Sequence, residues 1–242
     1  MADPIRAQKA IAHSGLMSRR LAEEAILAGR VAVDGRQIVL GDRVDVSIQQ
    51  VTLDGVPIPV NPELETHLLY KPLGVISTAS DPEGRETVVG LISTTRRVYP
   101  VGRLDSDSEG LILLTNDGDL ANRVTHPRYG ITKTYVVLVE GRPSRAVIKS
   151  LTEGVVLDDG PARAKSARVL GQQGESTMIE MVMNEGRNRE IRRLFEAVGH
   201  RVQSLVRIAI GPIMDRALRP GQSRLLSVEE TIRLLGSGAP DS

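Results

Sequence analysis

One stretch constrains the fold more than any other: Gly102-Arg103-Leu104-Asp105-Ser106-Asp107-Ser108-Glu109-Gly110, followed by Leu111-Ile112-Leu113-Leu114. An apolar run from Val98 to Val101 leads in, and the run from Leu111 to Leu114 leads out. Both have the length and branching of buried strands. A short acidic loop is therefore pinned at both ends by core strands, as catalytic groups often are. Gly110 and Gly118 bracket the exit strand and permit turns that other residues resist. The competing reading is a solvated hairpin loop. Two features weigh against it: an Arg-Leu-Asp triplet at a strand end, and a dense arginine segment far downstream.

That segment, Asn184 to Phe195, places four arginines in seven residues, Arg187, Arg189, Arg192 and Arg193, at the start of a helix expected over 188–198. Ile191, Leu194, Phe195 and Val198 would form its buried face. Positions 188, 192 and 195 then stack on adjacent turns and set Arg192 beside that face. An arginine buried there wants a carboxylate partner. An ordinary exposed arginine helix is the alternative, since surface charges contribute little.

The N-terminal portion predicts a helix over 4–14 and a second over 19–28 with Ser18 as its cap. A hairpin turns at Asp34-Gly35, a strand lies near 44–46, and a second Asp-Gly turn falls at Asp54-Gly55. Arg6, Lys9, Arg19, Arg20, Arg30 and Arg36 gather around the two short helices. Three prolines in the seven residues Val56 to Pro62 read as a stiff linker. The expected domains are thus 1–62 and 63–242. The second should hold strands at 67–70, 75–77, 132–139, 163–170, 177–182 and 202–210. Its helices should lie at 87–92 and 117–125, from a Ser144 cap to Leu151, at 188–198, and from a Ser227 cap to Leu235. Strands outnumber helices and are tightly joined. The expected class is α+β: a small N-terminal α/β domain joined to a larger domain on a mainly antiparallel sheet.

Composition narrows the function. A chain of 242 residues without cysteine has no disulfides and no thiolate metal site. Four scattered histidines leave no histidine-built metal centre, so no metal is expected. There is neither an apolar run long enough to cross a membrane nor an apolar signal core at Met1 to Arg6, and a cytoplasmic protein is expected. The net charge of +1 means that any affinity for nucleic acid must come from local patches. One Phe and four Tyr are too few for base stacking to be the main binding mode.

Two helices followed by "AGRVAVDGR" and small strands resemble the S4-like RNA-binding module of ribosomal proteins over about residues 4–50. Ser18-Arg19-Arg20, Gly29-Arg30-Val31 and Val33-Asp34-Gly35 carry the likeness. Farther on, Gly102-Arg103-Leu104-Asp105, Lys133-Thr134-Tyr135 and Gly186-Arg187-Asn188-Arg189-Glu190-Ile191-Arg192-Arg193 together resemble the signature of RNA pseudouridine synthases. Lys71-Pro72-Leu73-Gly74-Val75 and Leu113-Leu114-Thr115-Asn116-Asp117-Gly118 narrow it to the RsuA/RluB-type branch, which carries the same N-terminal module. The resemblance spans about residues 4–235.

It implies the following. The enzyme isomerises uridine to pseudouridine in RNA, with no redox change and no cofactor. Asp105 matches the catalytic aspartate, which either attacks the sugar carbon or takes a sugar proton. Arg192 matches the arginine that pairs with it. Tyr135 matches a ring for the uracil to stack on, and Leu205 an apolar wall. Arg103 matches a residue beside the flipped nucleotide, which must leave its stack before chemistry. Asp107 is a tempting second carboxylate, but the family motif does not use it as acid or base. RNA contacts are expected at Arg6, Lys9, Arg19, Arg20, Arg30, Arg187 and Arg189. A monomer acting on ribosomal RNA is expected. The "EGRNREIRRLFEAVGH" helix favours the large subunit, because it resembles the members acting there. The alternatives are a small-subunit or transfer-RNA target, and a non-catalytic RNA-binding ribosome-assembly factor. Intact Asp105, Tyr135 and Arg192 speak against the last.

Overall fold

The computed structural model of the protein describes residues 3–58 and 64–237. Its contacts divide into two compact units. The first takes the chain up to Glu65 together with Thr94–Val98 and Asn116–Gly118, and the second takes the rest.

The first unit opens with β1 (Ile5–Arg6), α1 (Ala7–His13) and α2 (Arg19–Leu27), and continues with β2 (Val31–Val33), β3 (Arg36–Gln37), β4 (Arg43–Val44), β5 (Val51–Leu53) and β6 (Val56–Pro57). The Ser18 hydroxyl accepts from the Leu21 N–H at 3.3 Å and starts α2, as its residue type predicts. Asp34 and Gly35 both adopt positive φ, as a two-residue hairpin turn requires. Ala10, Ile11, Ala22, Ile26, Val31 and Val44 are among the buried residues of its core. Two expectations change. The first helix is shorter, because Ile5 and Arg6 pair antiparallel with Val44 and Arg43. The proline-rich stretch begins as β6, paired to β5, with Pro57 on a sheet edge where a missing N–H is tolerated. Residues 59–62 of the expected linker, and the boundary at 63, lie outside the described residues.

The second unit comprises β7 (Thr66–Lys71), β8 (Tyr99–Val101), β9 (Glu109–Thr115), α3 (Gly118–Thr125), β10 (Lys133–Glu140), α4 (Arg145–Glu153), β11 (Val155–Leu157), β12 (Gly160–Ala162), β13 (Ser166–Gln173), β14 (Ser176–Met183), α5 (Glu190–Ala197), β15 (Val202–Ile210), β16 (Ile213–Met214), β17 (Ser223–Leu225) and α6 (Val228–Gly236). Among the described residues, nine of these strands form one sheet in the order β13-β14-β10-β15-β9-β7-β17, with β8 on β9 and β16 on β15. Every pairing in it is antiparallel except that of β9 with β15, where Val206 faces Glu109 and Arg207 faces Gly110. The expected mainly antiparallel α+β architecture is what forms. None of the described helices is long and apolar enough to cross a membrane.

The parallel junction explains one glycine. A Cβ on Gly110 would lie 2.3 Å from the Arg207 carbonyl oxygen, and its φ is +107°. Only glycine lets the two backbones approach this closely. Two expected elements do not form. Ile76 makes only an isolated bridge to Thr87, and residues 87–92 run as turns. The β-branched Thr87, Val88 and Val89 followed by Gly90 start a helix poorly. The strand expected from 163 begins at Ser166, because 155–162 close into the β11–β12 hairpin first.

Candidate active site

The loop 102–108 joins β8 to β9 and is fixed from both sides. The Ser77 hydroxyl donates to the Leu104 carbonyl at 2.7 Å and accepts from the Leu104 N–H at 3.1 Å. The Gly74 N–H donates to the Ser106 carbonyl at 2.8 Å, and the Ser108 N–H to the Asp105 carbonyl at 3.1 Å. Beneath it, the fully buried Lys71 ammonium donates to the carbonyls of Ser108 at 2.7 Å and Pro72 at 2.9 Å. Burial pulls its pKa down to about 8, against the upward pull of Asp105, Asp107 and Glu109. The lysine thus ties the end of β7 to the end of the acidic loop.

This loop forms one wall of a pocket of about 310 Å³. Arg103 and Asp105 line it from the loop, Tyr135 from β10, Leu205 from β15 and Met183 from β14, with Glu185 to Ile191 closing the remaining side. Tyr135 faces Arg207 across the β10–β15 ladder, so Leu205 is its diagonal neighbour on the same face. The pairing slips between Thr134 and Tyr135, an irregularity of the kind that re-aims a side chain. Tyr135 and Leu205 are buried and apolar on this face. The Asp105 side chain remains 26% exposed at the pocket, and Arg103 is exposed. The volume suits a single nucleoside, at the small end of ligand sites.

The arginine segment departs from the expected helix. α5 begins only at Glu190, because Arg189 sits in the left-handed region with φ 48°. That conformation is uncommon outside glycine, and here it turns Arg189 back toward the acidic loop. Its guanidinium grips Asp107 with two bonds, 2.9 and 3.2 Å, and lies 3.7 Å from an Asp105 oxygen. Arg192 does not take Asp105. It donates to the Asp107 carbonyl at 2.8 Å and the Val202 carbonyl at 3.2 Å, with its guanidinium 3.3 Å from the Asp107 carboxylate. It lines a neighbouring cavity of about 560 Å³ rather than the pocket. The expected Arg192–Asp105 ion pair is therefore corrected: the cation nearest Asp105 is Arg189, and Asp107 is the shared anchor. Arg189 and then Arg192 hold the Asp107 carboxyl below the usual carboxylate range.

Three further residues escaped the sequence. Glu190 is 4% exposed at the pocket; one carboxylate oxygen accepts from the Arg187 N–H at 3.1 Å, and the other has no hydrogen-bond partner. Burial pushes its pKa up to about 7. Arg207, also buried, donates from Nε to the Leu111 carbonyl at 2.6 Å and crosses the parallel junction. Asp159 draws Arg193 to 2.9 Å and Arg187 to 3.6 Å, fastening the β11–β12 hairpin to the arginine segment. The strand pattern of β15 does hint at Arg207, since it alternates with Leu205 and Ala209. Nothing local marks Glu190 or Asp159.

The structure gathers Arg103, Asp105, Tyr135, Arg187, Arg189 and Leu205 around one pocket. The other expected RNA-binding residues, Arg6, Lys9, Arg19, Arg20 and Arg30, belong to the first unit. There Arg19 and Arg20 are exposed, whereas Arg30 is already matched by Asp54 at 2.5 Å.

Comparison with known proteins points the same way. Residues 65–197 match the family model described as RNA pseudouridylate synthase. The chain is 43% identical over 234 residues to a Bacillus subtilis protein named ribosomal large subunit pseudouridine synthase B, covering 95% of each. It is 41% identical over 237 residues to the protein of the same name from Salmonella typhimurium, covering 95% of this chain and 81% of that one. A crystal structure titled pseudouridylate synthase superposes with a TM-score of 0.67 at 26% identity, covering 95% of this chain and 99% of the other. With the pocket and these matches together, the chain belongs to the RNA pseudouridylate synthase family.

Proposed function

We propose that this pseudouridine synthase isomerises specific uridines in large-subunit ribosomal RNA, as an RsuA/RluB-type enzyme. The observation that carries the reading is the pocket that brings Asp105 together with Tyr135 and Leu205 from three different strands or loops. The names of the Bacillus and Salmonella relatives support the large-subunit target.

In the reaction the bond between N1 of the base and the sugar carbon breaks, and the base turns. A bond from C5 to the same carbon forms, and the proton leaving C5 is balanced by one gained at N1. Asp105 serves either as nucleophile at the sugar carbon or as base toward a sugar proton. Tyr135 offers its ring to the uracil, and Leu205 closes the apolar wall that keeps water from the detached base. Arg103, exposed on the loop, stands beside the space that the flipped nucleotide leaves. Arg189 holds positive charge next to Asp105 and, with Arg187, meets the RNA backbone.

The first unit acts as the S4-like module, with Arg6, Lys9, Arg19 and Arg20 against RNA. The domain boundary falls near residue 63, and the protein works as a cytoplasmic monomer. The test uses the purified protein with unmodified transcripts of large-subunit, small-subunit and transfer RNA, followed by mapping at base resolution. New pseudouridine confined to the large-subunit transcript is expected. Modification confined to either other RNA would overturn the target.

A further inference from the structure

Beyond the pocket lies a groove of about 460 Å³, lined by Pro127, Thr152, Arg163, Lys165, Asn184 and Glu185 among others. It adjoins the pocket. Glu185 lines both, and β14 ends at Met183 on the pocket side just before Asn184 enters the groove. Its backbone is fixed: the Ala164 N–H donates to the Leu151 carbonyl and the Lys165 N–H to the Val182 carbonyl, each at 2.8 Å. Ala162 and Ala164 are buried while Arg163 and Lys165 are exposed, so the two cations project to the same side of a pinned segment.

Their charges stand apart from the pattern around them. Arg187, Arg189 and Arg193 each have a carboxylate within 3.0 Å, and Arg168 has Glu180 at 2.9 Å. Arg163 and Lys165 have no acidic partner within 4 Å among the described residues. The acid of the groove, Glu185, is already neutralised by Arg187 at 3.0 Å. Two exposed cations on one side of a pinned segment, with no carboxylate to match them, leave positive charge free to meet an anion arriving from outside.

We propose that this groove is an RNA-backbone site, in which Arg163 and Lys165 take phosphates of the strand flanking the nucleotide in the pocket. The proposal rests on the function given above. An RNA whose target nucleotide enters the pocket must continue along the surface next to it, and its phosphates are the anions that such a substrate brings. Phosphate contacts of this kind fix register without reading sequence. They also release counter-ions, so each adds to the salt dependence of binding.

The experiment compares wild type, the Arg163→Ala/Lys165→Ala double variant, the charge-keeping Arg163→Lys/Lys165→Arg variant, and Arg233→Ala on exposed α6 as a control for loss of a surface charge. Binding of a large-subunit ribosomal RNA transcript is measured across salt concentrations, and turnover separately. Loss of two phosphate contacts should lower the slope of log affinity against log salt by about 1.5. Between 50 and 200 mM salt the wild type should then lose about eightfold more affinity than the double variant. KM should rise and kcat at saturating RNA should hold. The charge-keeping variant should retain the wild-type slope. An unchanged slope in the double variant, or a change no larger than that of Arg233→Ala, would overturn the groove. A wild type that binds but does not isomerise would sink the functional reading instead, while the slope still decides the groove.

Discussion

Asp107 holds the site together at the level of single residues. It binds Arg189 through its carboxylate and Arg192 through both its carboxylate and its carbonyl, while Asp105, two residues earlier, stays open to the pocket. The two arginines consequently have different tasks. Arg192 is 13% exposed on its side chain and braces the acidic loop against β15. Arg189 is 45% exposed and contributes charge at the pocket mouth. Arg192→Ala should cost about 2 kcal/mol of stability, since it removes two hydrogen bonds made by a charged and largely buried donor. It should lower turnover as well. Arg189→Ala should change stability by less than about 1 kcal/mol, as exposed pairs do, yet lower kcat/KM. Urea unfolding and steady-state kinetics separate them; equal stability losses would contradict this division. No pattern in the sequence marks which arginine meets Asp105. Helical spacing places residues around an axis, and the left-handed turn at Arg189 that re-aims the segment leaves no mark in the pattern.

At the scale of elements, the long, strongly periodic pieces were legible. The apolar runs gave β8, β9, β10, β14 and β15 nearly to the residue, and Ser18, Ser144 and Ser227 each cap the helix expected of them. The failures are short and local: a strand at 75–77 that is only a bridge, a helix at 87–92 that is a run of turns, and the unforeseen hairpin at 155–162. In each the local preference is weak: Ile76 exchanges hydrogen bonds with Glu86 and Val88 instead of extending a strand, and 155–162 close on themselves. The buried first residue of α5 belongs to the same class, and it has a measurable consequence. Burial raises the Glu190 pKa from 4.5 to about 7 in the folded protein. A group raised on folding contributes stability that is complete below about pH 4.5 and lost as pH rises through about 7. Glu190→Gln removes that titration. The stability of wild type relative to this variant should therefore fall between pH 4.5 and 7 and level off above. Denaturation curves run in parallel across that range would show the difference; a constant gap at all pH values would contradict it.

For the whole molecule, a net charge of +1 forbids long-range attraction to RNA as the main force. Binding has to come from patches, and the ones we propose are Arg19 and Arg20 of the first unit, the arginines at the pocket, and the pair in the groove. The family and its fold class were readable because three separated motifs had to converge, and they do, with Asp105, Tyr135 and the arginine segment meeting at one pocket. The remaining claim is that this pocket modifies ribosomal RNA through Asp105. Base-resolution mapping of pseudouridine in large-subunit ribosomal RNA is the most direct test, made in a strain lacking the gene and complemented with wild type or Asp105→Asn. Asparagine keeps the shape and removes the nucleophile or base, and losses of about 10²–10⁴ are ordinary for such a group. At least one uridine should lose its modification on deletion, regain it with wild type, and stay unmodified with Asp105→Asn. An unchanged map on deletion, or full restoration by Asp105→Asn, would contradict it.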